Sequence, residues 1–369
     1  MAGNKNLHTS RASKADEFYT QQNTVEDELQ FYTEHFAGKV VLCNCDDPYE
    51  SEFFKYFALY FNALGLKKLI ATCYAGSPIV QTELDFFGTQ NENPSFDKHR
   101  QAIRFDVTEV KDWNGDGYED LRDVELLLKT NRNVVTYLDG DGDFRSSECV
   151  AALHEADIVV TNPPFSLMKK YLPFLVDSGK KFLVLGNMNH VTFKEIFPYF
   201  MNNTVWLGYN SGHFWFKVPD YYEEKATDFK VDADGQKWRR MGNICWFTNL
   251  DFKKRHEPLI LTKRYSPEEF PRYDNYDAIN VDRTADIPMD YWGVMGVPMT
   301  FLAQHCPEQF EVLGILTDKR DENPIFAKGT PTYIDDQHKG YVGAVIDGKA
   351  IYTRLLIRKL SDMGDWKDD

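Results

Sequence analysis

The residues with the clearest potential for chemistry stand in the run VVTNPPFS, where Asn162, Pro163, Pro164 and Phe165 follow an apolar stretch. Two consecutive prolines have fixed φ angles and no N–H groups, so this point of the chain is rigid and lacks backbone donors. The Asn162 side-chain oxygen and the Pro163 carbonyl remain as acceptors, and both can bind one exocyclic amine. Phe165 can stack on the ring that carries the amine. The pattern predicts a site for a planar, amine-bearing group.

Accepting two N–H hydrogen bonds draws an sp² amine nitrogen toward tetrahedral geometry and localises its lone pair. Such a nitrogen is a nucleophile toward a methyl sulfonium without a strong base, so the chemistry is positioning and electrostatic catalysis. The alternative interpretation is that Asn-Pro-Pro only ends a strand, because both residue types are common there. An alternating α/β pattern in front of the motif favours the catalytic interpretation.

Short apolar runs alternate with helix-like segments around this motif. Strand-like runs cover 38–45, 66–74, 133–139, 157–162 and 180–187, and helical spacing is found at 51–65, 146–156 and 166–179. Strands separated by helices of this length predict βαβ units and a parallel sheet. Aromatic-rich strands follow at 205–216 and 243–250, and no period is clear beyond 254. We predict an α/β protein with a Rossmann-like, mostly parallel sheet and helices on both faces, with a catalytic region at 1–253 and a second region at 254–369.

Composition limits the class of protein. The 369 residues include 42 Lys and Arg against 57 Asp and Glu, a formal charge of −15. No run approaches 18 apolar residues and the first residues contain no apolar core, so neither a membrane span nor a secretory signal is expected. Six cysteines are scattered through the chain. We therefore predict a reduced, cytoplasmic protein with neither a disulfide framework nor a zinc site.

A basic segment at 237–264 stands out in this acidic chain, with eight basic and two acidic residues. Trp238, Trp246 and Phe247 are interleaved with the charges, which favours a nucleic-acid surface over a merely solvated face. The residues predicted to contact phosphates are Lys237, Arg239, Arg240, Lys253, Lys254 and Arg255.

The segment DWNGDGYEDLRD at 112–123 fits the template of a calcium-binding loop. The ligand positions are filled by Asp112, Asn114, Asp116, the Tyr118 carbonyl, Asp120 and Asp123, with Gly117 at the turn. The sequence predicts a structural Ca²⁺ here. The alternative is an acidic turn, because Asn-Gly and Asp-Gly are ordinary turn signals.

Asn-Pro-Pro-Phe after a strand resembles the signature of S-adenosylmethionine-dependent amino methyltransferases. Further stretches narrow the resemblance: ADEFYT at 15–20, VVLCNCDDPYESEFFKYF at 40–57, DGDFRSSEC at 141–149 and NICWFTNLD at 243–251. Together they resemble the EcoRI-type family of adenine-specific DNA methyltransferases over most of 15–260. The resemblance implies methyl transfer from S-adenosylmethionine to the N6 amine of an adenine flipped out of double-stranded DNA, with 254–369 as the target-recognition region. It leaves open whether a restriction endonuclease accompanies the chain.

The resemblance also implies roles for individual residues. Asn162 to Phe165 would hold the flipped adenine, and Trp246 or Phe247 would contact its other face. Asp143 would hydrogen-bond the adenine of the cofactor and Phe144 would stack on it. The residues implied to line the cofactor pocket are Phe18, Tyr19, Thr20, Asn44, Asp46, Pro48, Glu50, Ser51, Asp143 and Phe144.

The stretch CNCDDPYES departs from the usual first-strand motif of methyltransferases, because it contains no glycine. Asp46, Asp47 or Glu50 would then hold the ribose of the cofactor, unless these acids only favour a helix N-terminus. Two rival functions follow from these observations. One is a methyltransferase acting on a protein glutamine or an RNA amine, and the other is an inactive binding protein with a methyltransferase fold.

Overall fold

The structure is a computed structural model, and it describes residues 22–45, 51–73, 102–117, 122–123, 126, 135–218, 222–224, 226–316 and 343–363. Its α-helices are α1 (Gln22–Leu29), α2 (Glu52–Leu59), α3 (Ser147–Glu155), α4 (Met168–Asp177) and α5 (Phe197–Met201). The strands in the first half of the chain are β1 (Val40–Cys43), β2 (Lys68–Cys73), β3 (Ile103–Val107), β4 (Val135–Tyr137), β5 (Ile158–Thr161) and β6 (Lys181–Asn187). The later strands are β7 (Trp206–Lys217), β8 (Phe229–Val231), β9 (Lys237–Thr248), β10 (Ile279–Asn280), β11 (Met295–Pro298), β12 (Phe310–Leu316), β13 (Val345–Ile346), β14 (Lys349–Ala350) and β15 (Arg354–Lys359).

The first compact unit comprises residues 1–186 and 212–244, and it contains a mixed sheet with the order β4-β3-β2-β1-β5-β6. β1 pairs in parallel with β2 and β5, and β5 pairs in parallel with β6. β3 is antiparallel to β2 and β4 is antiparallel to β3. The predicted parallel arrangement is therefore confirmed for β1, β2, β5 and β6, while β3 and its antiparallel pairing were not predicted.

Apolar content explains the central position of these strands. Every residue of β1 and β5 is buried, as are the five residues between the ends of β6. Strands that are covered on both faces are continuous apolar runs of this kind. α2 begins where the Ser51 hydroxyl accepts hydrogen bonds from the N–H groups of Phe53 and Phe54, at 3.2 and 3.3 Å. Such an N-cap satisfies donors that the first helical turn leaves open.

α4 carries the residues that follow the Asn-Pro-Pro-Phe motif. The predicted helix at 166–179 is a short 3₁₀ helix, Phe165–Leu167, followed by α4. The buried residues of α4 are Met168, Tyr171, Leu172 and Leu175. Their spacing places them on one face of the helix, which is the face that packs into the core.

The second compact unit comprises residues 187–211 and 245–369. It contains a four-stranded sheet with the order β10-β11-β15-β12, in which β11 and β12 are antiparallel to β15. β13 and β14 form a hairpin that turns at Asp347 and Gly348, with φ angles of 49° and 70°. Positive φ at both turn positions is typical of the two-residue Asp-Gly hairpin turn.

Each of the two units consists of two separate ranges of the chain, so no single position is the boundary between them. β7 and β9 are neighbouring strands of 12 residues each, and both run through the two units. A single boundary chosen from composition cannot detect such a division, because the division runs through two strands and not through a linker. The predicted functional division at residue 253 stays a prediction.

Two further features bear on the class of protein. No helix among the described residues has the length and apolar character that a membrane crossing requires. All six cysteines lie in the described part of the chain and carry free thiols.

Candidate active site

The strand order reverses between β1 and β5. From β1 the chain continues to β2 on one side, whereas β5 lies on the other side and continues to β6. In open α/β sheets, ligand crevices form at such a reversal, outside the carboxyl ends of the strands. Here the Cys45 N–H donates a hydrogen bond to Thr161 Oγ1 at 3.2 Å, which joins the carboxyl ends of β1 and β5. The residues that follow these two strands therefore share one edge of the sheet.

The Asn-Pro-Pro-Phe motif lies at this edge. Asn162 directly follows β5, and Phe165 begins the 3₁₀ helix that leads into α4. Pro163 is buried, whereas the other three residues of the motif are partly exposed. The Pro164 carbonyl accepts a hydrogen bond from the Leu167 N–H at 2.9 Å. No hydrogen bond to the Pro163 carbonyl is found among the described residues, so this oxygen has a free capacity to accept there.

Asn44 is the first residue after β1, and only 3% of it is exposed. Its Oδ1 accepts a hydrogen bond from the Tyr171 hydroxyl at 2.5 Å and a weaker one from the Cys45 thiol at 3.7 Å. Two donors on the same oxygen fix the orientation of the carboxamide, because an amide nitrogen cannot accept them. The Nδ2 group of Asn44 is the end that can donate to a ligand.

Asp143 and Phe144 precede α3. The Arg145 guanidinium donates to both Asp143 oxygens, at 2.8 and 2.6 Å. These hydrogen bonds, together with the Arg145 charge, lower the pKa of Asp143, so the carboxyl group is ionised and able to accept from an amine. The Phe144 ring is buried and meets the rings of Tyr171 and Phe174 edge to face, at 5.1 and 5.2 Å between centroids.

These groups fit a nucleoside-bearing cofactor such as S-adenosylmethionine. Asp143 supplies an ionised acceptor, Phe144 an aromatic side chain and Asn44 an amide donor, which suit an adenine amine, an adenine ring and a cofactor oxygen, respectively. Tyr171 contacts both Asn44 and Phe144, so two of the three groups are held by one side chain.

Of the other residues predicted to bind the cofactor, Ser51 is the only one in the described part of the chain. Ser51 lies at the N-terminus of α2, where its hydroxyl oxygen already caps the helix. Phe18, Tyr19, Thr20, Asp46, Asp47, Pro48 and Glu50 lie outside the described residues.

Trp246 and Phe247 are both fully buried near the end of β9. The Phe247 ring packs against His190 and Phe200, at 6.3 and 5.4 Å between ring centroids. A ring with no exposed surface offers no face to an incoming base. This burial counts against both residues as the predicted stacking partner, because neighbours on both sides of β9 already cover them.

The basic residues in the first half of the basic segment form hydrogen bonds and an ion pair with other residues of the chain. Lys237 Nζ donates to the Tyr222 carbonyl at 3.2 Å, and Arg239 donates to the Asp228 carbonyl at 2.9 Å. Arg240 forms an ion pair with the Asp228 carboxylate at 2.6 Å. These contacts hold the loop before β8, so the predicted phosphate contacts of the three residues compete with existing hydrogen bonds.

The second half of the basic segment contains three residues in different environments. Lys253 is exposed, and no partner for it is found in the part of the chain that the structure describes. Lys254 Nζ donates to the Tyr209 carbonyl at 3.1 Å and lies 4.3 Å from the centre of the Tyr209 ring. Arg255 has only 10% of its side chain exposed and lies 3.9 Å from the centre of the Trp206 ring. Its burial counts against the predicted phosphate contact.

The acidic loop that begins at Asp112 is held by its own backbone. The Asp112 carboxylate accepts three hydrogen bonds from the N–H groups of residues 115–117, at 2.6 to 3.2 Å. The Asn114 amide donates to Asp116 at 3.0 Å. Buried Asp123 accepts from the backbone of residues 113 and 114, at 2.7 and 3.0 Å.

The calcium prediction for this loop has no support. Among the described residues no group of three or more acidic, histidine or cysteine side chains is arranged to hold a metal ion. The oxygens of Asp112 and Asp123 bind backbone N–H groups, as in the alternative interpretation of an acidic turn. Tyr118 and Asp120 lie outside the described residues.

His256 lies in an ionic cluster that was not predicted from the sequence. Its Nε2 lies 2.9 Å from both Asp251 carboxylate oxygens, and its Nδ1 lies 2.8 Å from Glu308 Oε1. Only the protonated imidazole donates from both nitrogens. The hydrogen bond to Asp251, followed by that to Glu308, therefore raises the pKa of His256. The signal in the sequence, an Asp five residues before a His, is too common to be specific.

This cluster leads to a prediction of pH dependence. Because the pKa of folded His256 lies above its unfolded value near 6.5, its contribution to stability is complete below about that pH. The contribution is lost as the pH rises through the raised pKa. Since 40% of the side chain is exposed, water screens the pairs and we expect less than about 1 kcal/mol.

Denaturant unfolding from pH 6 to 9 checks this prediction. The difference in the free energy of unfolding between the wild type and His256→Gln should shrink as the pH rises. Taking the difference removes the contribution of other groups, including His305, whose pKa is lowered by burial. Parallel stability curves for the two proteins would show that His256 has no such role.

Taken together, the fold and the site define an α/β protein whose Asn-Pro-Pro-Phe motif lies at the switch point of a mixed sheet. The family model described as "Adenine-specific methyltransferase EcoRI" matches residues 6–360. The chain belongs to this family and is a methyltransferase.

Individual relatives agree with this assignment. The chain is 44% identical to "Type II methyltransferase M.EcoRI" of Escherichia coli over 361 residues, which cover 97% of each protein. It is 36% identical to "Type II methyltransferase M.MpnI" of Mycoplasma pneumoniae, over 96% of this chain and 98% of the relative. It is 35% identical to "Type II methyltransferase M.MgeORF184P" of Mycoplasma genitalium, over 95% and 98%. A comparison with solved structures finds no match.

Proposed function

We propose that the chain transfers a methyl group from S-adenosylmethionine to the N6 amine of an adenine in double-stranded DNA. The observation that carries this proposal is the position of Asn162 and Pro163 at the carboxyl end of β5, beside the end of β1. The Pro163 carbonyl is left without a partner among the described residues, as an amine-binding group requires. The printed names of the relatives support the reaction class and the base.

In this proposal, the Asn162 side-chain oxygen and the Pro163 carbonyl accept one hydrogen bond each from the N6 amine. These bonds orient the nitrogen lone pair and favour the geometry that the nitrogen adopts as it forms a new bond. Phe165 stacks on the adenine ring, and the two prolines keep competing N–H donors away from the amine. S-adenosylmethionine, when bound, supplies the electrophilic methyl group.

The adenine must leave the duplex to reach this site, because its amine is paired with thymine while it remains stacked. A base in the pocket needs an aromatic or apolar neighbour opposite Phe165. Trp246 and Phe247 remain the candidates from the sequence, but either ring has to become exposed on DNA binding to serve, since both are fully buried here.

The cofactor side of the proposal uses Asn44, Asp143 and Phe144. Asp143 would accept from the cofactor's adenine amine, Phe144 would contact the adenine ring and Asn44 would donate to a cofactor oxygen. Ser51 and the residues outside the described part of the chain complete the proposed pocket: Phe18, Tyr19, Thr20, Asp46, Pro48 and Glu50.

The DNA side of the proposal is centred on exposed cations. Lys253 and Arg240 are the exposed members of the predicted phosphate-binding set. Residues 254–369 are proposed to read the target site. We also propose a cytoplasmic setting, and a restriction endonuclease of the same site as a functional companion, because the relatives are named Type II methyltransferases.

Transfer from S-adenosylmethionine with a labelled methyl group tests the substrate class. Unmethylated duplex DNA, RNA and a protein extract are incubated separately with the chain. We expect label in DNA alone, and far less of it with Asn162→Ala. Label in protein or RNA alone would replace the proposal with one of its rivals. Binding of the cofactor without any transfer would favour an inactive binding protein.

A further inference from the structure

One buried side chain connects the two sides of the proposed cofactor pocket. Tyr171 lies on the inner face of α4 and is fully buried. Its hydroxyl donates to Asn44 Oδ1 at 2.5 Å, and its ring meets Phe144 at an interplanar angle of 86°. Asn44 follows β1, whereas Phe144 precedes α3, so these two residues reach Tyr171 from different parts of the chain.

The contact with Asn44 decides which end of the carboxamide is available. Oδ1 is occupied by the Tyr171 hydroxyl and the Cys45 thiol. No acceptor for Asn44 Nδ2 is found among the described residues. Although Asn44 as a whole is only 3% exposed, its Nδ2 atom is not among the fully buried, unpartnered polar atoms of the described residues, so this donor keeps a surface that a ligand can reach. Because Asn44 stands at the strand-order reversal, where α/β folds bind ligands, the acceptor is expected from a ligand.

We propose that Tyr171 is a positioning residue for the methyl-donor cofactor. It holds the Asn44 carboxamide with its NH₂ group turned to a cofactor oxygen, and it supports the edge of the Phe144 ring. The inference rests on the proposed function only in taking S-adenosylmethionine as the ligand. It does not involve the target base, so it concerns cofactor affinity and not the methyl-transfer step.

Tyr171→Phe isolates the hydroxyl, because phenylalanine fills the same space and keeps the contact with Phe144. Without the hydroxyl, the carboxamide loses the bond that fixes its orientation. We expect the Kd for S-adenosylmethionine to rise about tenfold, which corresponds to one ordinary hydrogen bond. The kcat at saturating cofactor and the KM for DNA should stay unchanged, a split that general loosening of the fold does not produce.

Tyr56→Phe is the matched control. Tyr56 is also a buried tyrosine on a helix of the same unit, with 5% exposure and no hydrogen bond of its hydroxyl in the described part of the chain. It undergoes the same chemical change, and its Kd for the cofactor should match that of the wild type. Thermal unfolding of every variant shows whether the fold is kept.

A double-mutant cycle then tests whether Tyr171 acts through Asn44. Calorimetric titration with S-adenosylmethionine is applied to the wild type, Tyr171→Phe, Asn44→Ala and the double variant. The double variant should bind no more weakly than Asn44→Ala alone, because the hydroxyl then has no carboxamide to orient. The inference would be overturned if the factors by which the two single substitutions raise the Kd multiplied in the double variant. It would also be overturned if Tyr171→Phe bound S-adenosylmethionine as tightly as the wild type.

Asn44→Asp provides a second variant that does not depend on removing a buried side chain. Aspartate keeps an acceptor for Tyr171 but replaces the Nδ2 donor with a charged carboxylate oxygen that can only accept, so the weaker binding should persist. If the double variant binds no more weakly than Asn44→Ala but the wild type transfers no methyl group, only the proposed function fails. If the wild type binds and methylates but the cycle shows independent effects, only the positioning role fails. A wild type that does not bind the cofactor would contradict both.

Discussion

Replacing Asn162 with alanine is expected to lower kcat for methyl transfer by about a hundredfold to a thousandfold, the range for removing one preorganised polar group from a reacting centre. The Kd for S-adenosylmethionine should stay within about twofold of the wild type, because Asn162 follows β5 and is proposed to contact the target amine and not the cofactor. Single-turnover rates with excess enzyme measure the chemical step, and calorimetric titration measures cofactor binding.

Asn162→Asp is the matched variant for this prediction. A carboxylate also accepts hydrogen bonds from an amine, so this variant should keep far more activity than Asn162→Ala. Equal loss in the two variants would mean that Asn162 acts through its NH₂ group and not through its oxygen. Near-normal turnover in Asn162→Ala would remove Asn162 from the proposed site.

Arg255→Ala should destabilise the chain by about 2–3 kcal/mol, because a side chain that is only 10% exposed loses its packing and its hydrogen bonds. Arg255 stacks on Trp206, donates to Asn203 Oδ1 at 2.6 Å and lies 3.4 Å from Asp251. Burial lowers its pKa, while the nearby acids oppose that shift. Alanine would leave a void against the Trp206 ring and remove a partner of Asp251. Denaturant unfolding measures the loss.

Lys253→Ala provides the contrast, because Lys253 and Arg255 lie in the same short 3₁₀ helix, Lys253–His256. Lys253 is exposed, so its removal should change the free energy of unfolding by less than about 0.5 kcal/mol. DNA affinity should fall, and the slope of log K against log salt should decrease by about 1 if the ammonium neutralises one phosphate. Normal stability for Arg255→Ala with a reduced salt slope would instead return Arg255 to the phosphate-binding set.

The edge of the sheet that carries Asn-Pro-Pro-Phe was predictable because its signals are local. β1, β5 and β6 are short apolar runs, which is how strands buried on both faces look in a sequence. Asn-Pro-Pro-Phe ends β5 as expected, since proline prevents further pairing. The antiparallel position of β3 was not predictable, because its alternation of buried and half-buried residues does not specify a partner strand.

Long-range packing explains why the sequence did not indicate how far some of the predicted site residues are buried. Trp246 and Phe247 are adjacent in β9, so their side chains point to opposite faces of the strand. Their complete burial means that both faces are covered there, which neighbouring sequence cannot reveal. Arg255 lies within a basic run, yet most of its side chain is covered, because Trp206, which is distant in the sequence, packs against it. Strands of two residues, such as β10 and β13, leave no detectable period.

Mass spectrometry of nucleosides from digested DNA tests the central claim most directly. Unmethylated duplex DNA is incubated with S-adenosylmethionine and either the wild type or Asn162→Ala, and then digested completely. The proposed site predicts N6-methyladenine from the wild type and, at the same incubation time, far less of it from Asn162→Ala. Methylation at the exocyclic amine of cytosine, or N6-methyladenine at equal yield from Asn162→Ala, would contradict it.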